Sequence, residues 1–233
     1  MPVMMTLNRM DETISDALNE LKNGRIILLH DSSSRENETD MVAFAGSCSP
    51  ETISCMRETA GGLICAAIGN EVAANLGLPY MHDILEVASS RYSGLLSMIE
   101  RRTPYGGRPA FSISVNHRNS FTGISDIERS ETIRELGRIA GIVKSGADAS
   151  DAFYSSFRSP GHVPILIEAR ESLSERRGHT ELSIRLAKLA GLPPATVVCE
   201  MLDGRTHRPL TAGEARKIAR AENLSFVEGE LIR

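Results

Sequence analysis

Three carboxylates within six residues make the stretch from Arg35 to Asp40 the part of the chain best suited to chemistry. It reads Arg-Glu-Asn-Glu-Thr-Asp, so Glu36, Glu38 and Asp40 stand at every second position. In an extended segment these side chains would share one face and repel one another. A hard divalent cation would hold them together, whereas a solvated acidic turn or edge strand would leave them in water. Both interpretations stay open on this stretch alone.

A second cluster lies at the predicted start of a later helix. We predict that this helix begins near Thr180, whose hydroxyl suits an N-cap, directly after Gly178 and His179. Free backbone N–H groups and the positive end of the helix dipole would attract an anion there, and Arg176 and Arg177 add phosphate-binding groups. His179 can also offer a ring nitrogen to a metal ion. The alternative is an ordinary helix start with surface arginines and a capping histidine.

Further residues have side chains suited to catalysis or binding, each with a structural alternative. His162 follows a turn and precedes an apolar strand, so it is either a general acid or base or a structural histidine. Glu200 lies within an apolar strand, where a carboxylate is costly unless it binds a metal or pairs with an arginine. Cys65 follows two glycines and either approaches a ligand or fills the core. Thr122 precedes another predicted helix start where an anion could dock.

The composition excludes several classes of function. The 233 residues can bury a sizeable core. A net charge of −4 and the absence of Trp give no reason to expect nucleic acid or an anionic membrane as partner. No apolar run is long enough to span a membrane, and residues 1–10 lack the features of a secretory signal, so we expect a cytoplasmic protein. The four cysteines form no Cys-x-x-Cys pair, so we expect free thiols.

Helix and strand patterns alternate along the chain and predict the elements that position these residues. No repeat or linker divides the chain, so we predict one domain over residues 1–233, of the α+β class, with a mixed β-sheet layered with helices. Residues 88–109 are predicted to cross the surface with at most one short helix. The predicted helices cover residues 12–22, 49–61, 70–77, 125–143, 180–190 and 211 onward, and the predicted strands cover 25–30, 41–45, 63–68, 111–115, 164–169, 196–202 and 224–227. Asn70 is predicted to cap the third helix, and capping boxes are predicted at Ser125-x-x-Glu128 and Thr211-x-x-Glu214.

In this order, the motifs resemble 3,4-dihydroxy-2-butanone 4-phosphate synthase, an enzyme family of riboflavin biosynthesis. The flanking helices fit as well, and we expect the stand-alone form without a domain similar to GTP cyclohydrolase II. The matching segments are residues 35–40, Gly61-Gly-Leu-Ile-Cys65, Thr122-Gly-Ile-Ser125 with Arg129, Arg158-Ser-Pro-Gly-His-Val163, Gly178-His-Thr-Glu181 and Cys199-Glu200.

The resemblance implies a lyase that converts D-ribulose 5-phosphate into L-3,4-dihydroxy-2-butanone 4-phosphate and formate. It implies Mg²⁺ or Mn²⁺, with two ions per site and with Glu36 and His179 as metal ligands. It also implies a homodimer with its site near the subunit interface, so that His162 would serve the neighbouring subunit. The implied catalytic residues are His162, Glu200, Glu38, Asp40 and Cys65, and the implied substrate-binding residues are Arg35, Glu36, Asp40, Thr122, Arg176, Arg177, Gly178, His179, Thr180 and Glu200.

This chemistry accounts for the residue types. Divalent ions would chelate the vicinal oxygens of the sugar and acidify the adjacent C–H bond. A carboxylate base, Asp40 or Glu38, would form the enediol, and loss of the C1 hydroxyl, a skeletal shift and expulsion of C4 as formate would follow. Anchoring of the phosphate would supply binding energy remote from the reacting carbons.

Two positions depart from the family pattern, and two other functions fit the residue types. Glu128 stands where an aspartate is usual, and His82 stands where a bulky apolar residue is expected. Another metal-dependent sugar-phosphate enzyme, a phosphatase or an aldolase, would use the same acidic cluster and phosphate site. A non-catalytic module that binds phosphorylated ligands would need the arginines but not the three carboxylates together.

Overall fold

A computed structural model of the chain describes residues 13–233. Residues 1–12, which include the first residue of the predicted helix 12–22 and the stretch examined for a secretory signal, lie outside the described residues. The helices are α1 (residues 13–22), α2 (Pro50–Cys55), α3 (Asn70–Leu76), α4 (Met81–Ala88), α5 (Asp126–Lys144), α6 (Ser150–Ser156), α7 (His179–Leu189) and α8 (Ala212–Ala221). The strands are β1 (Ile27–His30), β2 (Thr39–Phe44), β3 (Cys65–Ile68), β4 (Phe111–His117), β5 (Phe157–Ile167), β6 (Ala195–Glu200), β7 (Leu202–Asp203), β8 (Arg208–Pro209) and β9 (Phe226–Glu228).

A seven-stranded mixed sheet in the order β4-β5-β3-β6-β2-β1-β9 forms the centre of the fold. Strand β3 is parallel to β5 and β1 is parallel to β9, whereas the other neighbours are antiparallel. Strand β6 therefore lies between β2 and β3. Its register places Glu200 opposite Asp40, and Val198 opposite Cys65. Three candidate site residues thus lie on neighbouring strands: Asp40, Cys65 and Glu200.

Helices cover both faces of the sheet, because successive side chains of a buried strand point to opposite sides. On β1, Leu28 packs into one core cluster with Ile133 of α5, and Leu29 packs into the other with Leu182 of α7. These side chains are at most 1% exposed, and burying each one stabilises the fold by about 1.5–3 kcal/mol. The second cluster fixes α7 against the strands that carry the acidic residues.

The fold class predicted from the sequence, a mixed sheet layered with helices, is confirmed. The predicted caps of α5 and α8 are also present, since Ser125 accepts from the Glu128 N–H and Thr211 accepts from the Glu214 N–H. The cysteines are free, as expected, with Cys48, Cys65 and Cys199 buried and Cys55 half-buried. Within residues 13–233 no helix has the length and apolar character needed to cross a bilayer.

The conformation of the acidic stretch was left open by the sequence, and its residues 33–36 form a turn, with a left-handed φ of 57° at Asn37. Several local predictions were wrong. The N-cap of α7 is Gly178 rather than Thr180, because the chain is still extended at Gly178 and turns helical at His179. Likewise, the N-cap of α3 is Gly69 rather than Asn70. Helix α4 was not predicted, and β5 begins at Phe157 rather than at 164 because the turn before His162 stays paired with β4.

Candidate active site

A cavity of about 320 Å³ opens where β2 begins and β6 ends, against the start of α7. It gathers side chains from distant parts of the chain, including most of the residues proposed from the sequence. The lining residues are Arg35, Glu36, Glu38, Asp40, Cys65, Thr103, Tyr105, Arg108, Pro109, Ala110, Phe111, Leu166, Arg176, Gly178, His179, Thr180, Glu181, Val198 and Glu200.

The acidic loop owes its shape to Asp31, which is 2% exposed and follows β1. Its Oδ2 accepts hydrogen bonds from the Glu36 N–H at 3.0 Å and from the Arg35 Nη1 at 3.2 Å, and its Oδ1 accepts from the Glu38 N–H at 3.1 Å. These bonds hold residues 33–36 in a turn. The carboxylates therefore reach one cavity although this part of the chain is not extended. Asp31 was not among the residues predicted from the sequence, although an aspartate after a strand is a common turn former.

Glu36 and His179 meet across the cavity. The Glu36 Oε2 lies 3.4 Å from the His179 Nδ1 and 2.6 Å from the Arg35 Nη1. Burial raises the pKa of Glu36, but hydrogen bonds from His179 and Tyr105 and the charge of Arg35 outweigh burial and lower it to about 2. Glu36 is therefore ionised at neutral pH and can act as a ligand.

Asp40 lies deeper in the same cavity. Its Oδ1 is 3.6 Å from the His179 Nε2, and it is a buried oxygen with no hydrogen-bond donor among the described residues. Burial, together with the charge of Glu200, raises the pKa of Asp40 to about 7 despite the opposing effect of His179. Burial also raises the pKa of Glu38, and the charge of Glu36 adds to this. These carboxylates can therefore exchange protons more readily near neutral pH than ordinary ones.

The donor atoms of this cluster suit a divalent cation. Asp31, Glu36 and His179 each offer a ligand atom, and these atoms lie within 4.8 Å of one another. The Asp40 Oδ1, which accepts no hydrogen bond from the described residues, lies beside them. Carboxylate oxygens with one imidazole are ligands that Mg²⁺ and Mn²⁺ accept. The predicted ligand pair is thus brought together by the fold.

The start of α7 forms the opposite, cationic wall. Arg176 pairs with the buried Glu181 at 2.6 Å and donates to the Arg108 carbonyl at 2.7 Å, which holds its guanidinium at the cavity. Gly178 lets Arg35 lie close, since a Cβ there would be 2.7 Å from the Arg35 Nη2 and would displace that guanidinium. The first N–H groups of α7, beginning at His179, have no acceptors within the helix and can bind an anion.

Glu200 and Cys65 complete the floor of the cavity. The Glu200 Oε2 accepts a hydrogen bond from the Leu63 N–H at 2.8 Å, and Gly62 makes room for it because a Cβ there would lie 2.6 Å from that oxygen. No arginine pairs with Glu200 in the described chain, contrary to the structural alternative. Burial, together with the charge of Glu200, raises the pKa of Cys65, so its thiol stays protonated at neutral pH. Cys65 thus lines the cavity as a protonated thiol, and its catalytic role stays a prediction.

Three predicted site residues do not line the cavity. Arg177 turns away from it and donates to the carbonyls of Gly229 and Ile232. His162 and Thr122 are exposed on the chain surface and are joined through Asn116. The Asn116 Oδ1 accepts from the His162 N–H at 2.7 Å, and its Nδ2 donates to the Thr122 carbonyl at 3.1 Å.

The two departures from the family pattern have structural explanations. The longer Glu128 side chain reaches the preceding loop, where it accepts from the N–H groups of Phe121, Thr122 and Gly123 at 2.6–3.1 Å. Hydrogen bonds from the Ser125 side chain and from these N–H groups lower its pKa to about 2. The polar His82 is accommodated by Arg108, whose Nη1 lies 3.3 Å from its Nε2.

The segment that the sequence analysis assigned to the surface also contributes to the site. Tyr105 hydrogen-bonds to Glu36, and its ring lies 4.5 Å from the Arg35 Cζ. Burial, together with the hydrogen bond to Glu36, raises the pKa of Tyr105 to about 12. The only signal in the sequence was an aromatic residue within a loop rich in Gly and Pro, a common setting for binding residues.

The fold and this cavity are those of an enzyme that acts on a small phosphorylated substrate. The model of the 3,4-dihydroxy-2-butanone 4-phosphate synthase family matches residues 15–233. The chain belongs to this family, whose members convert ribulose 5-phosphate into 3,4-dihydroxy-2-butanone 4-phosphate in riboflavin biosynthesis. The predicted family and enzyme class, a lyase, are therefore confirmed, and a phosphatase or aldolase is not favoured.

Individual relatives support the assignment over most of the chain. The chain is 47% identical to the synthase of Methanothermobacter thermautotrophicus, with 94% of each chain covered. It is 42% identical to that of Methanosarcina acetivorans, covering 95% of this chain and 90% of the relative. A solved structure of a synthase in complex with two magnesium ions is 30% identical and covers 94% of this chain and 93% of that one, with a TM-score of 0.73.

Proposed function

We propose that the cavity between the acidic loop and the start of α7 is where this chain converts D-ribulose 5-phosphate into L-3,4-dihydroxy-2-butanone 4-phosphate and formate. The observation that carries the assignment is the 3.4 Å approach of Glu36 to His179, which come from distant segments of the chain. We further propose that residues 1–233 form one cytoplasmic domain.

We propose Glu36 and His179 as the protein ligands of Mg²⁺ or Mn²⁺, with two ions per site. A cation at this position is supported by the neighbouring carboxylate of Asp31 and by the Asp40 Oδ1, a buried oxygen without a hydrogen-bond donor among the described residues. A similar protein has been solved with two magnesium ions. When bound, such ions polarise the ketone and hydroxyl oxygens of the sugar and so acidify the adjacent C–H bond.

The protein groups around that position supply the proton transfers. Asp40, with a pKa near 7, can both accept and return a proton at neutral pH. Glu38 flanks it, and Glu200 faces it across β2 and β6. We assign Asp40 or Glu38 to the removal of the C–H proton, and Glu200 to later proton transfers.

The phosphate would bind at the start of α7. The N–H groups of His179 and Thr180, the helix dipole and the guanidinium of Arg176 provide directed donors and positive charge. Arg35 lies against Gly178 and connects this wall to the acidic loop. Binding energy gained at the phosphate then contributes to orienting the reacting carbons.

We propose a homodimer in which each cavity is completed by the other subunit. Support comes from apolar side chains that one chain leaves in water around Thr122 and beside Glu200. Phe121 is 93% exposed, Ile127 is 67% exposed, and Leu63, whose N–H binds Glu200, is 49% exposed. A symmetric contact through these residues would bury them and bring the His162 and Thr122 of one subunit to the cavity of the other.

The test is incubation of the purified chain with ribulose 5-phosphate and Mg²⁺, followed by a formate assay. We expect one formate per 3,4-dihydroxy-2-butanone 4-phosphate, and none after removal of divalent ions. Glu36→Gln should lower formate production at least about 100-fold and weaken Mg²⁺ binding, because it removes a metal ligand. The matched control is Glu58→Gln, which alters an exposed glutamate outside the cavity.

Three results would contradict the proposal. Release of inorganic phosphate would indicate a phosphatase. Cleavage between C3 and C4, into dihydroxyacetone and glycolaldehyde phosphate, would indicate an aldolase. Full activity and unchanged Mg²⁺ affinity in Glu36→Gln would exclude Glu36 as a metal ligand.

A further inference from the structure

Arg177 spans the last turn of the described chain. Its Nη2 donates to the Gly229 carbonyl at 3.0 Å and to the Ile232 carbonyl at 2.8 Å. One guanidinium therefore holds the beginning of the short helical turn Gly229–Leu231 and the residue that follows it. Hydrogen bonds from a charged donor are stronger than neutral ones. Because Arg177 directly precedes Gly178, this contact also fixes the peptide from which α7 begins.

The other side of the same turn presses on the acidic loop. Gly229 is buried, and a Cβ there would lie only 2.7 Å from the Asp31 carbonyl and 2.7 Å from the Leu182 Cδ1. Strand β9 leads into the turn, with Glu228 paired to His30 at the end of β1. The backbone of the turn thus contacts the residue whose carboxylate shapes the acidic loop.

The turn itself is firmly anchored. Ile232 is fully buried in the core cluster that contains Leu182 and Leu186 of α7. A rigid turn in contact with Asp31 on one side and with Arg177 on the other connects both walls of the cavity. Neither contact reaches the space where substrate would bind.

We propose that Arg177 is a positioning residue that, through the turn Gly229–Leu231, sets the distance between the acidic loop and the start of α7. Its effect reaches the substrate through the orientation of His179 toward Glu36. The proposal rests on the function proposed above for those two residues.

The test compares Arg177→Ala and Arg177→Lys with Arg185→Ala. The Arg185 Nε donates to the Arg233 carbonyl at 2.7 Å, so the control removes a bond from within α7 to the same terminal segment, away from the cavity. Arg177→Ala should raise the KM for ribulose 5-phosphate and weaken Mg²⁺ binding together, each about tenfold, as for other residues that orient a metal ligand. Arg177→Lys should restore part of both, and Arg185→Ala should change neither by more than about twofold.

A second variant approaches the turn from its other side. Gly229→Ala keeps Arg177 but pushes on the Asp31 carbonyl, so it should weaken Mg²⁺ binding in the same direction. If Arg177→Ala does not fold, the Mg²⁺ affinity of Gly229→Ala decides whether the turn positions the acidic loop.

Three outcomes separate the possibilities. If folded Arg177→Ala binds Mg²⁺ like wild type but has a raised KM, Arg177 contacts the phosphate directly and the positioning role is wrong. If both parameters stay at wild-type values, the proposal is also wrong. If wild type itself makes no formate, the proposed function fails, whereas the comparison of Mg²⁺ affinities still decides the role of Arg177.

Discussion

The cavity cluster (Glu36, Asp40 and His179) and the His162 group (His162, Asn116 and Thr122) both contain a histidine among polar side chains, but one is buried and the other is exposed. In the cavity, His179 and Asp40 are 7% and 3% exposed, and the charge of each shifts the pKa of the other. In the other group, His162 is exposed and is held by the side chain of Asn116. One chain therefore encloses the groups suited to cation and phosphate binding, and leaves its other candidate imidazole at the surface.

The difference indicates what each group needs from its surroundings. In the buried cluster, Glu36, Glu38 and Asp40 outnumber the cations His179 and Arg35 that face them, so a divalent cation would complete the charge balance. The surface group is rigid although exposed, because Glu128 and Asn116 fix the loop that carries Thr122. A rigid polar group beside exposed apolar side chains is typical of a surface that contacts another protein. If that protein is a second copy, the two groups form one site.

The strongest test of this comparison is complementation between two inactive variants. His162→Asn and Glu36→Gln should each lower formate production at least about 100-fold, as expected for loss of a general acid–base group or a metal ligand. After subunit exchange, mixed dimers would contain one intact site, so the mixture should recover about a quarter of wild-type activity.

Formate release before and after exchange measures this recovery, with each variant exchanged against itself as control. If proven mixed dimers stay inactive, His162 acts within its own chain or not at all, and the two groups are separate.

A smaller effect is expected from a charge in the apolar surface near Thr122. Ile127→Glu should raise the dissociation constant of the dimer at least about tenfold, since a carboxylate cannot be buried there without a partner. Formate production should fall in parallel at low protein concentration. Sedimentation measures the assembly, and Leu189→Glu alters an apolar residue that is 43% exposed on a different surface. Equal dissociation in both variants, or in neither, would argue against an interface at Ile127.

The smallest effect concerns pH and the buried cluster alone. Burial lowers the pKa of His179, but the charges of Asp40 and Glu36 outweigh burial and raise it from 6.5 to about 9. The folded protein therefore holds this proton more tightly than the unfolded chain does. The resulting stabilisation is complete below pH 6.5 and is lost as the pH rises to about 9.

Urea unfolding of metal-free protein between those pH values measures this loss. His179→Asn should reduce this pH-dependent difference in the free energy of unfolding without abolishing it, because the pKa of Asp40 is also raised by burial, to about 7. His162→Asn serves as the control and should keep it. A variant lacking His179 that shows the same decline as wild type would show that other groups cause it.

The sequence predicted what depends on local pattern. The capping boxes at Ser125 and Thr211 and the central apolar strands were visible because each signal lies within a few residues. The motifs around Glu36 and His179 were recognisable by their order, and the register of β2 with β6 then explains why Asp40 and Glu200 belong with them.

What escaped prediction depends on contacts between distant segments. The turn at 33–36 is imposed by the buried carboxylate of Asp31, and Tyr105 reaches Glu36 only because its loop folds over the cavity. Arg177 looks equivalent to Arg176 in the sequence. Its direction is decided by the carbonyls of Gly229 and Ile232, which no local pattern reveals.

The place of β6 in the sheet has a consequence for biogenesis. This strand is translated long after β2 and β3 but is inserted between them. Until it arrives, the half of the sheet that carries Asp40 has no neighbour on that side, and Glu200 is absent from the cavity. A growing or truncated chain that ends before residue 195 therefore lacks both Glu200 and the strand that joins β2 to β3. With the role proposed for Glu200, formate production requires translation at least through residue 200.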